Sequence, residues 1–301
     1  MSREDIEEVT RLPLLPERAP DAHKGDFGRV LIVACSPGMT GAGCMAAMAA
    51  QKAGAGLVTL ALPQSLNVVA EVKLTSAMSR PMPEPNEPVI GGRAADRVLR
   101  SAEEFTAVAV GPGLGRAQTT VEAVRRLVRE LPVPTVVDAD GLNALAGATE
   151  ALRDAAEVRL LTPHPGEMSR LTGLSVGEVQ SARSEVAREF AAEHEVILAL
   201  KGAGTVVTDG LRVYVNTSGN PGMATGGTGD VLTGLAVGLL CQGLDPFEAL
   251  QLAVFVHGLA GDVAAARQGM LSMTAEDLLH CVPDAFQMLE GFTEPPEPEE
   301  V

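Results

Sequence analysis

The stretch Arg29–Ala53, RVLIVACSPGMTGAGCMAAMAAQKA, sets the fold class. RVLIVA (Arg29–Ala34) is an unbroken apolar, β-branched run, the mark of a strand buried on both faces and hence of a mainly parallel sheet. Ser36–Gly43 is a glycine loop, and Ala42–Ala53 reads as the helix that follows it. The same alternation recurs outward from this unit. Leu57–Leu62, Thr106–Val110, Thr135–Asp138, Val158–Thr162, Val196–Leu200 and Thr205–Thr208 read as strands. Thr119–Glu130, Val176–Glu193, Asp230–Cys241, Pro246–Arg267 and Ala275–Leu289 read as helices. Val213–Val215 after Asp209-Gly210 predicts a hairpin at one end of the sheet. The expected architecture is a three-layer αβα sandwich with right-handed crossovers.

No composition break or internal repeat divides the chain. One domain over residues 23–290 is expected, preceded by an arm (residues 1–22, a short helix and a Pro-broken segment) and followed by an acidic, disordered tail (residues 291–301). Arg80–Pro88 reads as a Pro-rich surface loop. With 23 Lys+Arg against 39 Asp+Glu the net charge is −16, which argues against a nucleic-acid backbone or an anionic membrane surface as the main partner. A phosphate ligand would therefore need local backbone donors. The first ten residues lack an apolar h-region, and no run approaches the about 18 apolar residues of a membrane span. The four cysteines show no CxxC spacing and read as small buried hydrophobes. A cytoplasmic setting is expected.

Common nucleotide motifs are absent: no GxxxxGK[ST], no GxGxxG and no HExxH. Instead, Asn220–Asp230 (NPGMATGGTGD) runs into the apolar helix VLTGLAVGLL. Three glycines in four positions let successive N–H groups converge, and the helix start adds free donors and a positive dipole end. Together they suit phosphoryl oxygens, with Asp230 beside the anion. The alternative is a tight turn capped by Asp230. Other loops follow strands, where open parallel sheets bind ligands. Lys201–Thr205 (KGAGT) permits close backbone approach or is a glycine hairpin with an exposed lysine. Gly111–Gly115 (GPGLG) follows the strand at Thr106. Thr162–Glu167 (TPHPGE) holds His164 between prolines, as a site residue or an ordinary surface histidine. Asp138–Asn143 (DADGLN) carries carboxylates that suit Mg²⁺ or cap the next helix. Six such loops on one edge are better explained jointly, as a place where a nucleotide and a second substrate meet.

The set HKGDFGRVLIVACSPGMTGA (His23–Ala42), KAGAGLVTLALP (Lys52–Pro63), VGPGLG, VVDADGLNAL, LTPHPGEMSRL, LKGAGTVV and GNPGMATGGTGDVLTG resembles the ADP-dependent NAD(P)H-hydrate dehydratases over about His23 to Leu289. The resemblance implies a ribokinase-like α/β fold and repair of hydrated NADH and NADPH, driven by ADP (ATP in some members) with Mg²⁺. It implies that Lys201, Gly202, Ala203, Gly204 and Thr205, with Asn220, Pro221, Gly222, Met223, Ala224, Thr225, Gly226, Gly227, Thr228 and Gly229, surround the nucleotide. Ala42, Gly113, His164 and Asp230 would contact the hydrated dinucleotide. Asp230 would act as base, with Gly227, Thr228 and Gly229 stabilising the transferring group. It further implies a separate epimerase supplying the S epimer and a homo-oligomer, with a tetramer favoured. The Mg²⁺ ligands stay open, and Lys73–Pro88 matches no family pattern. A small-molecule kinase of the same superfamily and a non-catalytic nucleotide sensor are the competing readings.

Overall fold

Hydrophobic alternation along the strands decides how the layers assemble. The computed structural model describes residues 6–14 and 18–293. In chain order the elements are β1 (Glu7–Glu8), β2 (Arg29–Val33), α1 (Thr40–Lys52), β3 (Leu57–Pro63), α2 (Asn67–Lys73), β4 (Met78–Met82) and α3 (Gly92–Arg100). Next come β5 (Ala107–Val110), α4 (Gln118–Glu130), β6 (Thr135–Val137), α5 (Asp140–Leu145), α6 (Glu150–Arg153), β7 (Arg159–Leu161) and α7 (Pro165–Thr172). The rest are α8 (Val176–Ser181), α9 (Arg183–His194), β8 (Ile197–Leu200), β9 (Val206–Thr208), β10 (Arg212–Val215), α10 (Thr228–Leu240), α11 (Pro246–Gln268) and α12 (Ala275–Thr293). All ten strands form one sheet, in the order β1-β10-β9-β8-β7-β6-β5-β2-β3-β4. Pairing is parallel from β8 to β4, and β9 runs antiparallel to both β8 and β10.

Val30 and Ile32 enter one hydrophobic cluster while Leu31 and Val33 enter the other, and all four are fully buried. Helices α1, α2, α10, α11 and α12 cover the first face, and α3 to α9 cover the second. This is why the strands read as continuous apolar runs rather than as alternating ones. The expected β9–β10 hairpin is present, with Asp209 and Gly210 in its turn.

Several local expectations are corrected. Part of the expected Pro-rich loop is β4, paired with β3; its Pro81 lacks an N–H, which a strand at the sheet edge tolerates. Within the expected N-terminal arm, Glu7–Glu8 pairs parallel with Arg212–Val213, and no helix occurs in its described part. The acidic segment after Thr293 lies outside the described residues. The helix expected over Val176–Glu193 breaks at Ala182 (φ −136°, ψ 43°) into α8 and α9. α11 is long and apolar enough to cross a membrane by length and composition, but 61% of its apolar window is buried inside the chain, as in a core helix.

Small residues bring α10 against α1. A Cβ on Gly234 would lie 2.2 Å from the Ala46 carbonyl oxygen and 2.6 Å from Ala49 Cβ, and one on Gly238 would lie 2.7 Å from the Ala50 carbonyl. With seven Phe, one Tyr and no Trp in the chain, this close backbone approach replaces bulky side-chain packing. It also fixes where the N-terminus of α10 meets the sheet edge. Gly234→Ala is expected to lower stability by about 1–3 kcal/mol, the usual range for overpacking a filled interface. Urea unfolding checks this, and an unchanged midpoint would mean that the two helices separate freely.

Candidate active site

A buried carboxylate organises the C-terminal edge of the sheet. Asp138, directly after β6, is 1% exposed. Its Oδ1 accepts from Lys201 Nζ at 2.7 Å and from Thr162 Oγ1 at 2.7 Å, and its Oδ2 accepts from Thr233 Oγ1 at 2.8 Å. The ends of β6, β7 and β8 are thereby tied to α10. Burial pushes the Asp138 pKa upward, but the Lys201 charge and the three hydrogen bonds outweigh it and hold the group below the usual carboxylate range. Burial likewise opposes the charge on Lys201, yet Asp138 and Glu167, 3.8 Å away, keep it firmly protonated.

The glycine loop lies against this pair. A Cβ on Gly229 would stand 3.5 Å from Lys201 Nζ and 3.8 Å from Asp138 Oδ2. Gly227 caps α10 at φ +97°, a left-handed conformation that suits glycine. Thr228 Oγ1 folds back to donate to the Met223 carbonyl at 3.0 Å and the Thr225 carbonyl at 3.1 Å. The amides that open α10 and its positive dipole end remain as an anion site. Asp230 sits in the first turn of α10, half-buried, with no hydrogen bond or ion pair among the described residues. Its pKa is pushed up to about 7, first by burial and then by the Asp138 charge, with Asp140 adding and Lys201 opposing.

The two carboxylates of DADGLN part ways. Asp138 is held as described, whereas Asp140 accepts from the Gly115 amide at 2.8 Å and from Asn143 Nδ2 at 3.1 Å. Ala139 between them has φ 51° and ψ −118°, a conformation costing about 1–3 kcal/mol in a residue other than glycine. This kink directs the neighbouring aspartates to different partners.

Gly113 meets Ala42: a Cβ on Gly113 would lie 3.1 Å from Ala42 Cβ. Ser36 Oγ donates to the Gly113 carbonyl at 2.8 Å, closing the loops after β2 and β5 onto each other. His164 is neither an idle surface residue nor a freely mobile one. Its Nδ1 accepts the Gly166 and Glu167 amides at 3.0 and 3.3 Å, while Glu167 Oε2 accepts the His164 amide at 2.8 Å, a reciprocal cap on α7. The proton therefore sits on Nε2, 3.4 Å from Glu167 Oε1. Burial, followed by the Lys201 and Arg170 charges, lowers the His164 pKa.

Lys201 separates from the rest of its motif. Its side chain turns inward to Asp138, so it is not the exposed lysine of a simple hairpin. Gly202–Gly204 stay exposed, and Arg183 Nη2 donates to the Leu200, Lys201 and Gly204 carbonyls at 2.7, 3.3 and 3.3 Å. Asn220 caps a short 3₁₀ turn over Pro221–Met223, and Ala224, Thr225 and Gly226 are exposed along the loop.

Sequence reasoning did not single out Glu167, which is 5% exposed with a pKa of about 7, raised mainly by burial. Nothing local distinguishes it from an ordinary capping glutamate. Among the described residues, no three His, Cys, Asp or Glu side chains are grouped to hold a metal ion. Asp138 and Asp140 have both oxygens engaged. Glu167 is engaged as well, by the His164 amide and ring, so Asp230 is the carboxylate of the cleft without a hydrogen bond among the described residues. A separate cavity of about 580 Å³, lined by residues of β10, α9 and α11 and by Val9 and Leu12, contains none of these carboxylates.

Residues 30–284 match the Carb_kinase family, described as NAD(P)H-hydrate dehydratase. The bifunctional NAD(P)H-hydrate repair enzyme Nnr of Moorella thermoacetica is 47% identical over 282 residues, covering 93% of this chain and 53% of that protein. The chain spans about half the length of the curated relatives it matches. A crystal structure of the ADP/ATP-dependent NAD(P)H-hydrate dehydratase from Bacillus subtilis, co-crystallised with ATP/Mg2+, superposes with a TM-score of 0.80 at 31% identity, covering 91% of this chain and 94% of that one. Arabidopsis thaliana ribokinase, at 16% identity and a TM-score of 0.52 over 85% of this chain and 98% of that one, shares the fold. With a ribokinase-like fold and a family match across most of its length, the chain belongs to the NAD(P)H-hydrate dehydratase family.

Proposed function

We propose that the chain dehydrates the S epimer of hydrated NADH and NADPH, using ADP or ATP as phosphoryl donor. The observation that carries this reading is Asp230: an unpaired, half-buried carboxylate with a pKa of about 7, placed in the first turn of the anion-binding helix and close to Lys201. Ligand binding alone would gain nothing from a second negative charge beside phosphates, whereas an incoming alcohol needs a proton acceptor there. The names of the Moorella and Bacillus relatives supply the substrate class, and the shared fold and family support carrying it to this chain.

Hydroxide is a poor leaving group from the hydrated nicotinamide ring, and phosphate is a good one. The ring hydroxyl oxygen attacks the terminal phosphorus, Asp230 takes its proton, and the bond from phosphorus to the departing nucleotide oxygen breaks. The ring nitrogen lone pair then expels phosphate as the C–O bond breaks, and loss of a proton from the adjacent carbon restores the reduced ring. Transfer of this kind depends on alignment and charge stabilisation. The Gly227, Thr228 and Gly229 amides hold the transferring group, Lys201–Thr205 and Asn220–Gly226 hold the nucleotide, and Ala42, Gly113 and His164 position the dinucleotide. Mg²⁺, when bound, would supply charge neutralisation for the phosphates. An epimerase supplying the S epimer forms part of the same proposal, and the bifunctional relatives, about twice as long, support it.

Incubating hydrated NADH with ADP or ATP and Mg²⁺ is expected to restore reduced-nicotinamide absorbance. A stable phosphorylated alcohol would indicate a kinase instead, and no reaction would indicate a sensor. Asp230→Asn is expected to keep the fold and lose at least about 10²-fold in turnover. Because Asp230 must be ionised to accept the proton, kcat/KM is expected to fall about tenfold per pH unit below about 7. A flat profile between about pH 5 and about pH 8 would remove Asp230 from the base role. The sign for stability is opposite. A carboxyl with its pKa raised on folding holds its proton in the native state, so the native chain loses stability as pH rises towards about 7. Asp230→Asn should therefore melt higher than wild type above about pH 7, by at least the about 2–4 °C that 1 kcal/mol gives in a large domain. The gain should fade as pH falls to about 4, and a thermal scan across pH checks it.

A further inference from the structure

The glycine loop is gripped at both ends by one face of α11, a helix that carries no recognised motif. Phe255, Gly258 and Asp262 form one row on this helix, and His257 and Gly261 form the next, with spacings of three and four residues that stack along one side. Ser218 Oγ donates to the Phe255 carbonyl at 2.9 Å. A Cβ on Gly258 would lie 2.2 Å from Ser218 Oγ, and one on Gly261 would lie 2.4 Å from Met223 Sδ, so the loop rests on the helix backbone itself. At the entry to the loop, Asp262 Oδ2 accepts the Gly219 amide at 2.8 Å and Oδ1 accepts Asn220 Nδ2 at 2.9 Å. Asn220 passes the constraint on by accepting the Gly222 amide at 3.0 Å. At the exit, His257 Nε2 donates to the carbonyl of Thr228, the first residue of α10, at 2.8 Å. Burial lowers the His257 pKa to about 4, so the ring is neutral and acts as a hydrogen-bond donor rather than as a charge for phosphate.

We infer that His257 and Asp262 are positioning residues for the nucleotide. They fix the two ends of the 219–228 loop, and with them the separation between the Asn220 turn and the Gly227–Gly229 amides. Between those anchors Ala224, Thr225 and Gly226 are exposed and belong to no strand. Within the loop, Thr228 Oγ1 donates to the Met223 and Thr225 carbonyls; fixed ends set where this folded loop stands relative to the sheet before the phosphates arrive, and such preorganisation appears as nucleotide affinity. The clamp leaves the contacts of Ala42, Gly113 and His164 untouched, so affinity for the hydrated dinucleotide should not follow. This inference rests on the reading of the loop as a nucleotide site.

The test is isothermal titration of ADP and of ATP, each with Mg²⁺, into wild type and variants of the full chain, with KM for nucleotide and for hydrate measured in parallel. His257→Leu and Asp262→Ala are each expected to weaken nucleotide binding about tenfold, with KM for hydrate within about twofold of wild type. His257→Gln, which retains a donor near the Nε2 position, is expected to recover to within about threefold. Nucleotide affinity within about twofold of wild type in both truncations, with native circular dichroism, would overturn the clamp. Equal loss of affinity for both substrates, tracking a fall in melting temperature, would overturn it as well, since that is the signature of general destabilisation. If the truncations fail to fold, the decision passes to His257→Gln and Asp262→Asn: unchanged nucleotide affinity in Asp262→Asn overturns the clamp, and a selective loss there with recovery in His257→Gln supports it. A wild type that binds nucleotide but does not convert the hydrate would defeat the dehydratase reading alone and leave the clamp standing.

Discussion

The ion pair between Asp138 and Lys201 is the contact around which the candidate site is built. A carboxylate buried to 1% exposure is tolerable only when its lone pairs are satisfied, and Asp138 has three donors, from β7, β8 and α10. Because those donors come from separate elements, satisfying one charge also sets the spacing of the sheet edge. The pair is weak evidence for net stability, since desolvation offsets much of its attraction. Its consequence is geometric and electrostatic. It draws Lys201 away from solvent to within reach of the glycine loop, and it occupies much of the lysine charge that would otherwise stabilise nearby anions.

That second effect accounts for the protonation pattern of the cleft. Glu167 and Asp230 both lie near Lys201, yet both have pKa values pushed up to about 7. Burial disfavours their charge, and Asp138 adds a fixed negative neighbour to each. One carboxylate is thus held ionised while two are poised near neutrality, a division of labour that suits the proposed transfer chemistry. His164, neutral and locked into the cap of α7, stands beside this cluster without adding charge.

The anion loop is held inside by the Asn220-capped turn and by Thr228 Oγ1 on the Met223 and Thr225 carbonyls. Its placement is set by two helices: α10 begins at its exit, seated against α1 through glycine and alanine contacts, and α11 lies behind it. In this acidic chain the candidate anion site is therefore made of backbone amides whose positions are set by packing, without a basic surface. Lys201 is the one cation the described residues place directly against the loop glycines.

The layered α/β architecture was legible in the sequence because strands buried on both faces leave a local trace, as at Arg29–Val33, where every second residue serves one of two cores. The glycine loop and Asp230 were legible for a similar reason, since left-handed turns and a free helix start need particular residues in order. Other features left no such trace. β4 hid behind Pro81, which only an edge position permits, and the break at Ala182 leaves the helical pattern on either side intact. Glu167 looked like a cap because it is one, and Asp138 was equally consistent with metal binding or capping until its donors, 24, 63 and 95 residues away, were in place. The order of residues determined where donors, acids and turns could occur. Which acid is paired, which is left near neutrality, and which helix holds the loop were decided only by tertiary packing, because burial and charge proximity depend on residues that are far apart along the chain.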